Sequence, residues 1–130
     1  MNLWVSFMLF LALECSAITN KQKTTLLRLH NAARLKVVAC KVPGQPSAKQ
    51  LPKLYWDDEL AEKAQRQSDT CQFGHNTNEE RITSKWSNWV GQNIAGNPAY
   101  QNGFQAWFNE YKDYNFQQRS CAKVCGHYTQ

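Results

Sequence analysis

The sequence predicts an α+β domain, and three observations predict it. Apolar residues recur at helical spacing over 20–38, and a narrow face of small side chains runs through 57–71. The chain then closes on Gly126-His127-Tyr128-Thr129-Gln130, where tyrosine and threonine favour extended backbone. The first two stretches are helices. The last reads as the opening of a β-strand, with Gly126 letting the chain turn into it and His127 near its start.

Residues 1–17 stand apart from the fold. The apolar run 3–13 has the length of a signal-peptide core and is too short to span a bilayer, and Ser16-Ala17 supply the small residues that cleavage needs. Residues 18–130 are then an exported domain without a transmembrane segment. The net charge is +5 and rises by one when Glu14 leaves with the leader. The basic residues are scattered and form no stripe beside stacked aromatics, which excludes a nucleic-acid reader. No Asn-x-Ser/Thr acceptor occurs, nor a glycine-rich phosphate loop, nor a G-x-S-x-G nucleophile elbow. Of five cysteines, Cys40, Cys71, Cys121 and Cys125 remain after cleavage. An even set in an exported chain predicts two disulfides with three possible connectivities; a zinc site lacks a matching second pair for Cys121-x-x-x-Cys125.

The elements follow in order. Asn20 or Thr19 N-caps the first helix, and Leu26, Leu29 or His30, Ala33 and Val37 line its inner face. His30 and Arg34, one turn apart, bond locally and pack the helix. Residues 40–54 form a loop around the turn cluster Pro43-Gly44-Gln45-Pro46, with Cys40 tethering its start. Asp57 N-caps the second helix, Trp56 and Ala61 sit where a hydrophobic staple falls, and Trp56 is a core residue. Residues 77–90 are a polar surface loop that Trp86 and Trp89 pin to the core. Asn97-Pro98 starts another helix, on which Phe104, Trp107 and Tyr111 recur at i, i+3, i+7 and Tyr114 extends the row. Trp107 and Tyr111 are its expected core rings.

A series of words in this order carries a resemblance. His30-Asn31-Ala32-Ala33-Arg34, Leu54-Tyr55-Trp56-Asp57, Cys71-Gln72-Phe73-Gly74-His75, Gly91-Gln92-Asn93-Ile94 with Trp107-Phe108-Asn109-Glu110, and Gly126-His127-Tyr128-Thr129-Gln130 span the mature chain. Together they resemble the CAP superfamily of cysteine-rich secretory, antigen-five and pathogenesis-related proteins, and look most like the venom-allergen-like proteins of parasitic flatworms. The resemblance implies an α-β-α sandwich, three or more helices around a small antiparallel sheet. In the family the last word runs on into further apolar strands, so a CAP domain over 18–130 incomplete at its C-terminus is expected, with His127 on an unpaired edge and function resting on a partner if those strands are essential.

The resemblance also implies a site. CAP domains gather two histidines and two glutamates in one cleft, and the matching positions are His75, Gln92, Glu110 and His127. Some members bind zinc or another divalent cation there, which places His75 and His127 as ligands; no cofactor is required. Gln92 stands where the family has glutamate, and an amide cannot take up a proton, so a metal-dependent hydrolase is disfavoured and no catalytic residue is assigned. In several members a loop at the place of Tyr114 and Phe116 contributes to sterol binding, while a channel between helices holds fatty acid. The expected function is a secreted protein that binds sterol or fatty acid and engages a host protein.

Overall fold

The computed structural model describes residues 17–130; the expected signal peptide falls almost entirely outside the described residues. The order is α1 (Asn20–Val38), α2 (Asp58–Asp69), α3 (Asn78–Arg81), α4 (Tyr100–Asn109), a 3-10 turn (Glu110–Asp113), β1 (Tyr114–Asn115), β2 (Ser120–Cys121) and α5 (Gly126–Thr129). This is the α+β class predicted, helices with a small antiparallel sheet, in which Tyr114 pairs with Cys121 and Asn115 with Ser120.

Helix α1 has the predicted bounds. Thr19 caps it through a reciprocal box with Gln22, so two otherwise orphaned N–H groups are satisfied. His30 Nδ1 donates to Leu26 O at 2.8 Å, one turn back. Asn31 and Arg34 act outward instead. Asn31 exchanges two hydrogen bonds with Leu54, at 3.0 and 2.8 Å, and Arg34 Nε donates to Pro52 O at 3.0 Å. The helix word therefore fastens the 52–54 loop alongside α1. The turn at the loop's other end is of type II: Pro43 precedes Gly44, whose φ is +74°, and Gln45 N donates to Val42 O at 3.1 Å.

Asp57 caps α2 as predicted, its Oδ1 accepting from Glu59 N and Leu60 N, both at 3.1 Å. Those bonds, the one from Trp86 Nε1 and the Lys85 ammonium hold the Asp57 carboxyl below the usual aspartate value. Helices α1 and α2 both end on a cysteine in left-handed backbone, Cys40 and Cys71, each at φ +55°. Cys40 N donates to Val37 O and Lys41 N to Lys36 O, the paired bonds of a Schellman cap, where glycine is the usual residue.

Helix α4 is the hub, packing on α1, α5 and the 3-10 turn. Phe104 is its most buried ring, at 7 % exposure, and meets His30 edge-on at 4.7 Å. Trp107 and Tyr111, the expected core pair, are half-buried. From Phe104 the rings continue through Phe108 to Tyr111, Tyr128, Tyr114 and Phe116, with centroids 5.6–6.4 Å apart.

Three expectations are corrected. Residues 126–129 form a helical turn rather than a strand, because the Glu110 carboxylate accepts from His127 N and Tyr128 N while Thr129 N and Gln130 N bond back to Cys125 O and Gly126 O. His127 N and Tyr128 N thus go to a carboxylate, while Thr129 N and Gln130 N each bond the carbonyl four residues back, which is the pairing of a helical turn. Cys121 and Cys125 are disulfide-bonded, but Cys40 and Cys71 are exposed free thiols, each held at the C-terminal cap of a different helix. Trp89 is 72 % exposed and so does not pin the 77–90 segment to the core; that segment includes α3 and is held through Trp86 Nε1, which donates to Asp57 Oδ2 at 3.0 Å.

Candidate functional site: two histidine pairs joined by one segment

Residues 89–97 run without helix, turn or bend between α3 and α4. Two neighbours in that run, Gln92 and Asn93, reach opposite ways. Gln92 Oε1 accepts from His75 Nδ1–H at 2.8 Å, and Gln92 Nε2 donates to Asn76 Oδ1 at 3.0 Å, so the amide is fixed at both ends. Asn93 Nδ2 donates to the carbonyl of His127 at 3.0 Å. Arg81 ties the same region together, its guanidinium donating to Asn76 O and, at 2.8 Å, to Val90 O.

The second pair is built at the end of α4. His127 Nδ1–H donates to Glu110 Oε1 at 2.7 Å, and Glu110 Oε2 accepts from His127 N at 3.0 Å and Tyr128 N at 3.3 Å. The Trp107 ring stacks on His127, centroids 6.0 Å apart and planes 21° from parallel, while Trp107 Nε1 donates to Ile94 O at 3.2 Å. Tyr128 sits beyond, among Phe108, Tyr111 and Tyr114; burial, with Tyr114 beside it, pushes its phenol above the ordinary 10.0.

The four expected positions therefore form two pairs, His75 with Gln92 and His127 with Glu110, linked through the adjacent backbone of Gln92 and Asn93. The partners assign the tautomers: both Nδ1 atoms carry a proton, and in the neutral form of each ring the lone pair lies on Nε2. That orientation is the one that suits a metal-binding histidine whose other nitrogen is held by a carboxylate or amide. The donor count does not match it. Among the described residues no group of three or more His, Cys, Asp or Glu is arranged to hold a metal, short of the three protein ligands of a catalytic zinc site. Asn76, Asn93 and Trp107 were not singled out as site residues; Asn93 lies inside a quoted word, but its long-range partner at residue 127 leaves no local signal.

Two cavities flank this centre. One, of about 380 Å³, lies between α1, the 54–56 segment and α4, and is lined by Leu26, Leu27, Leu54, Trp56, Gly103 and Trp107 among others. Trp56, expected in the core, is half-buried on its wall. The other, about 1020 Å³ and open, is framed by the 44–46 turn and the β1–β2 hairpin and includes both Tyr114 and Phe116. Gln45 holds its two sides together, Nε2 donating to Tyr111 O and Tyr114 O, each at 2.8 Å. Among the described residues no helix is long and apolar enough to cross a membrane.

Comparison with known proteins agrees with this fold. Residues 27–130 match the family described as CAP, the cysteine-rich secretory protein family. The chain is 37% identical over 117 residues to scoloptoxin SSD976 of Scolopendra dehaani, covering 83% of this chain and 54% of that protein. It is 40% identical over 129 residues to venom allergen 5 of Vespula maculifrons, covering 87% and 55%. The chain thus spans about half the length of these curated relatives. The solved structure of venom allergen-like protein 4 from Schistosoma mansoni superposes with a TM-score of 0.79 at 34% identity, covering 87% of this chain and 72% of that one. With the words in order, the fold and these matches in agreement, the chain belongs to the CAP superfamily and resembles its flatworm venom allergen-like members.

Proposed function

We propose that this chain is a secreted CAP-domain binding protein whose ligand is a fatty acid or sterol, and that it is not an enzyme. The observation that carries the reading is the 380 Å³ cavity, walled by leucines and tryptophans with few polar groups, at the low end of the size range of small-molecule pockets. An acyl chain suits that wall. The wider opening at Tyr114 and Phe116, where Phe116 is 55 % exposed, suits the flat face of a sterol. Gln92 supports the non-enzymatic part, since the His75 pair contains no carboxylate to serve as base. Export rests on the apolar run 3–13, and engagement of a host protein would use the exposed surface.

The test is binding of radiolabelled palmitate and cholesterol to the oxidised chain. Ala95→Phe, from the cavity wall, should weaken palmitate about tenfold or more while leaving cholesterol unchanged; Phe116→Ala should do the reverse. Loss of neither ligand in either variant would remove the reading.

A second reading has one observation behind it, the free Nε2 of each histidine. His75 and His127 would supply the protein nitrogens to a divalent cation, which when bound would polarise a water. Zinc titration followed by the His75 and His127 ring signals tests it; unmoved signals at saturating zinc would end it.

A further inference from the structure

Charge is divided unequally along the chain. Residues 18–56 hold eight of the fifteen lysines and arginines and no aspartate or glutamate; after residue 17, every carboxylate side chain lies at Asp57 or beyond. Scattered in sequence, these cations are gathered by the fold. The bonds from Asn31 to Leu54 and from Arg34 to Pro52, with Ala48 N donating to Val37 O at 3.4 Å, lay residues 48–54 beside the second half of α1. Helical spacing puts Arg28, Leu35 and Val38 with Asn31 on one side of that helix, opposite His30, Ala33 and Val37.

The resulting face carries uncompensated positive charge. Arg28, Lys41, Lys49 and Lys53 are exposed, and among the described residues none of them makes an ion pair. Two carboxylates border the face at the start of α2, and both are already met: Asp58 by Lys23 at 3.1 Å and Asp57 by Lys85 at 3.6 Å. Apolar side chains stand among the cations. Leu35 is 67 % exposed and Tyr55 79 %, and Lys53 Nζ lies 5.7 Å from the centre of the Tyr55 ring.

We infer that the outer side of α1 and the 41–55 segment form a docking face for an anionic phospholipid surface. Charge complementarity picks the occupant. Cations with no free carboxylate between them attract a layer of acidic headgroups, and a leucine and a tyrosine at headgroup depth add apolar contact. A sulfated glycan would meet the same cations but offers Leu35 and Tyr55 nothing. The inference does not rest on the ligand reading above, because adsorption to headgroups needs no filled cavity.

The test is sedimentation of the full oxidised chain with vesicles of phosphatidylcholine, with and without phosphatidylserine. Binding to the serine-containing vesicles should be at least about tenfold stronger at low salt and should fall steeply as salt is raised. Lys41→Gln, Lys49→Gln and Lys53→Gln together should weaken it about tenfold or more. Lys63→Gln, Arg66→Gln and Lys85→Gln remove the same charge from α2 and the 84–90 segment, and should leave most of the binding in place. Leu35→Ser with Tyr55→Ser, both exposed, should weaken binding several-fold at an unchanged melting temperature. Equal binding to vesicles without phosphatidylserine would overturn the inference. So would an equal loss in the two charge triples, which would leave only net charge at work. Tighter binding to soluble heparin than to vesicles, untouched by the two serine substitutions, would assign the face to a glycan and overturn it as well.

Discussion

His127 and His75 reach the same tautomer by opposite means. His127 is caged: its ring and its own N–H both bond one carboxylate, a tryptophan stacks on it, and the side chains of the pair are 27 % and 16 % exposed. His75 lies exposed, held by a single amide that is itself steadied by Asn76. One pair is a fastening that determines local backbone; the other is a polar contact laid on a surface. The family words do not distinguish them, and only the surroundings do.

The sharpest way to break this contrast is Glu110→Ala. It removes acceptors from three donors at once and leaves two backbone N–H groups of α5 unpaired, so a loss of about 3 kcal/mol in urea unfolding is expected. Glu110→Gln keeps one acceptor oxygen and should lose about 1 kcal/mol. At the other pair, Gln92→Glu should change unfolding by less than about 0.5 kcal/mol, because an exposed contact contributes little. A Gln92 effect as large as that of Glu110 would erase the difference between the two pairs.

Acid and alkali separate the regions further. Tyr128, beside the caged pair, has its phenol raised by burial, so its contribution is complete below 10.0 and is lost as pH rises through the folded value. Melting temperatures should fall from about pH 10 upward, and Tyr128→Phe should flatten that fall. Asp57, on the Trp86 side, is lowered by its bonds to Leu60 and Trp86. Its contribution is present above the ordinary 3.8 and disappears as pH drops through the folded value. Asp57→Asn should make acid unfolding between about pH 4 and 2 shallower; an unaltered acid limb would mean that the cap contributes nothing.

What the sequence disclosed follows the range of the interaction. The limits of α1, an N-cap at Thr19 or Asn20, the Asp57 cap and the turn at Pro43-Gly44 depend on residues close in sequence, and these were readable; the box between Thr19 and Gln22 was not read. The helical turn at 126–129 was not, because the carboxylate that caps it belongs to residue 110, and tyrosine and threonine alone favour extended backbone. Trp86 and Trp89 have the composition of core residues, yet only the position of Asp57 and the exposed course of 84–89 decides where they sit. Cys40 and Cys71 invite pairing by arithmetic, which is blind to backbone direction at two separate helix ends. Gln92 and Glu110 were legible as positions through the resemblance, but not as a surface contact and a fastening.

The packing around α4 also has a kinetic meaning. Helices α1, α4 and α5 and the 3-10 turn share one set of contacts, whereas α2 and α3 pack chiefly on each other. A chain so divided opens in instalments: native-state exchange should show α2 and α3 fraying together at low denaturant while α4 holds until global unfolding. The segment carrying Gln92 and Asn93 bridges the two blocks, so His75 belongs to the part that loosens first and His127 to the part that lets go last.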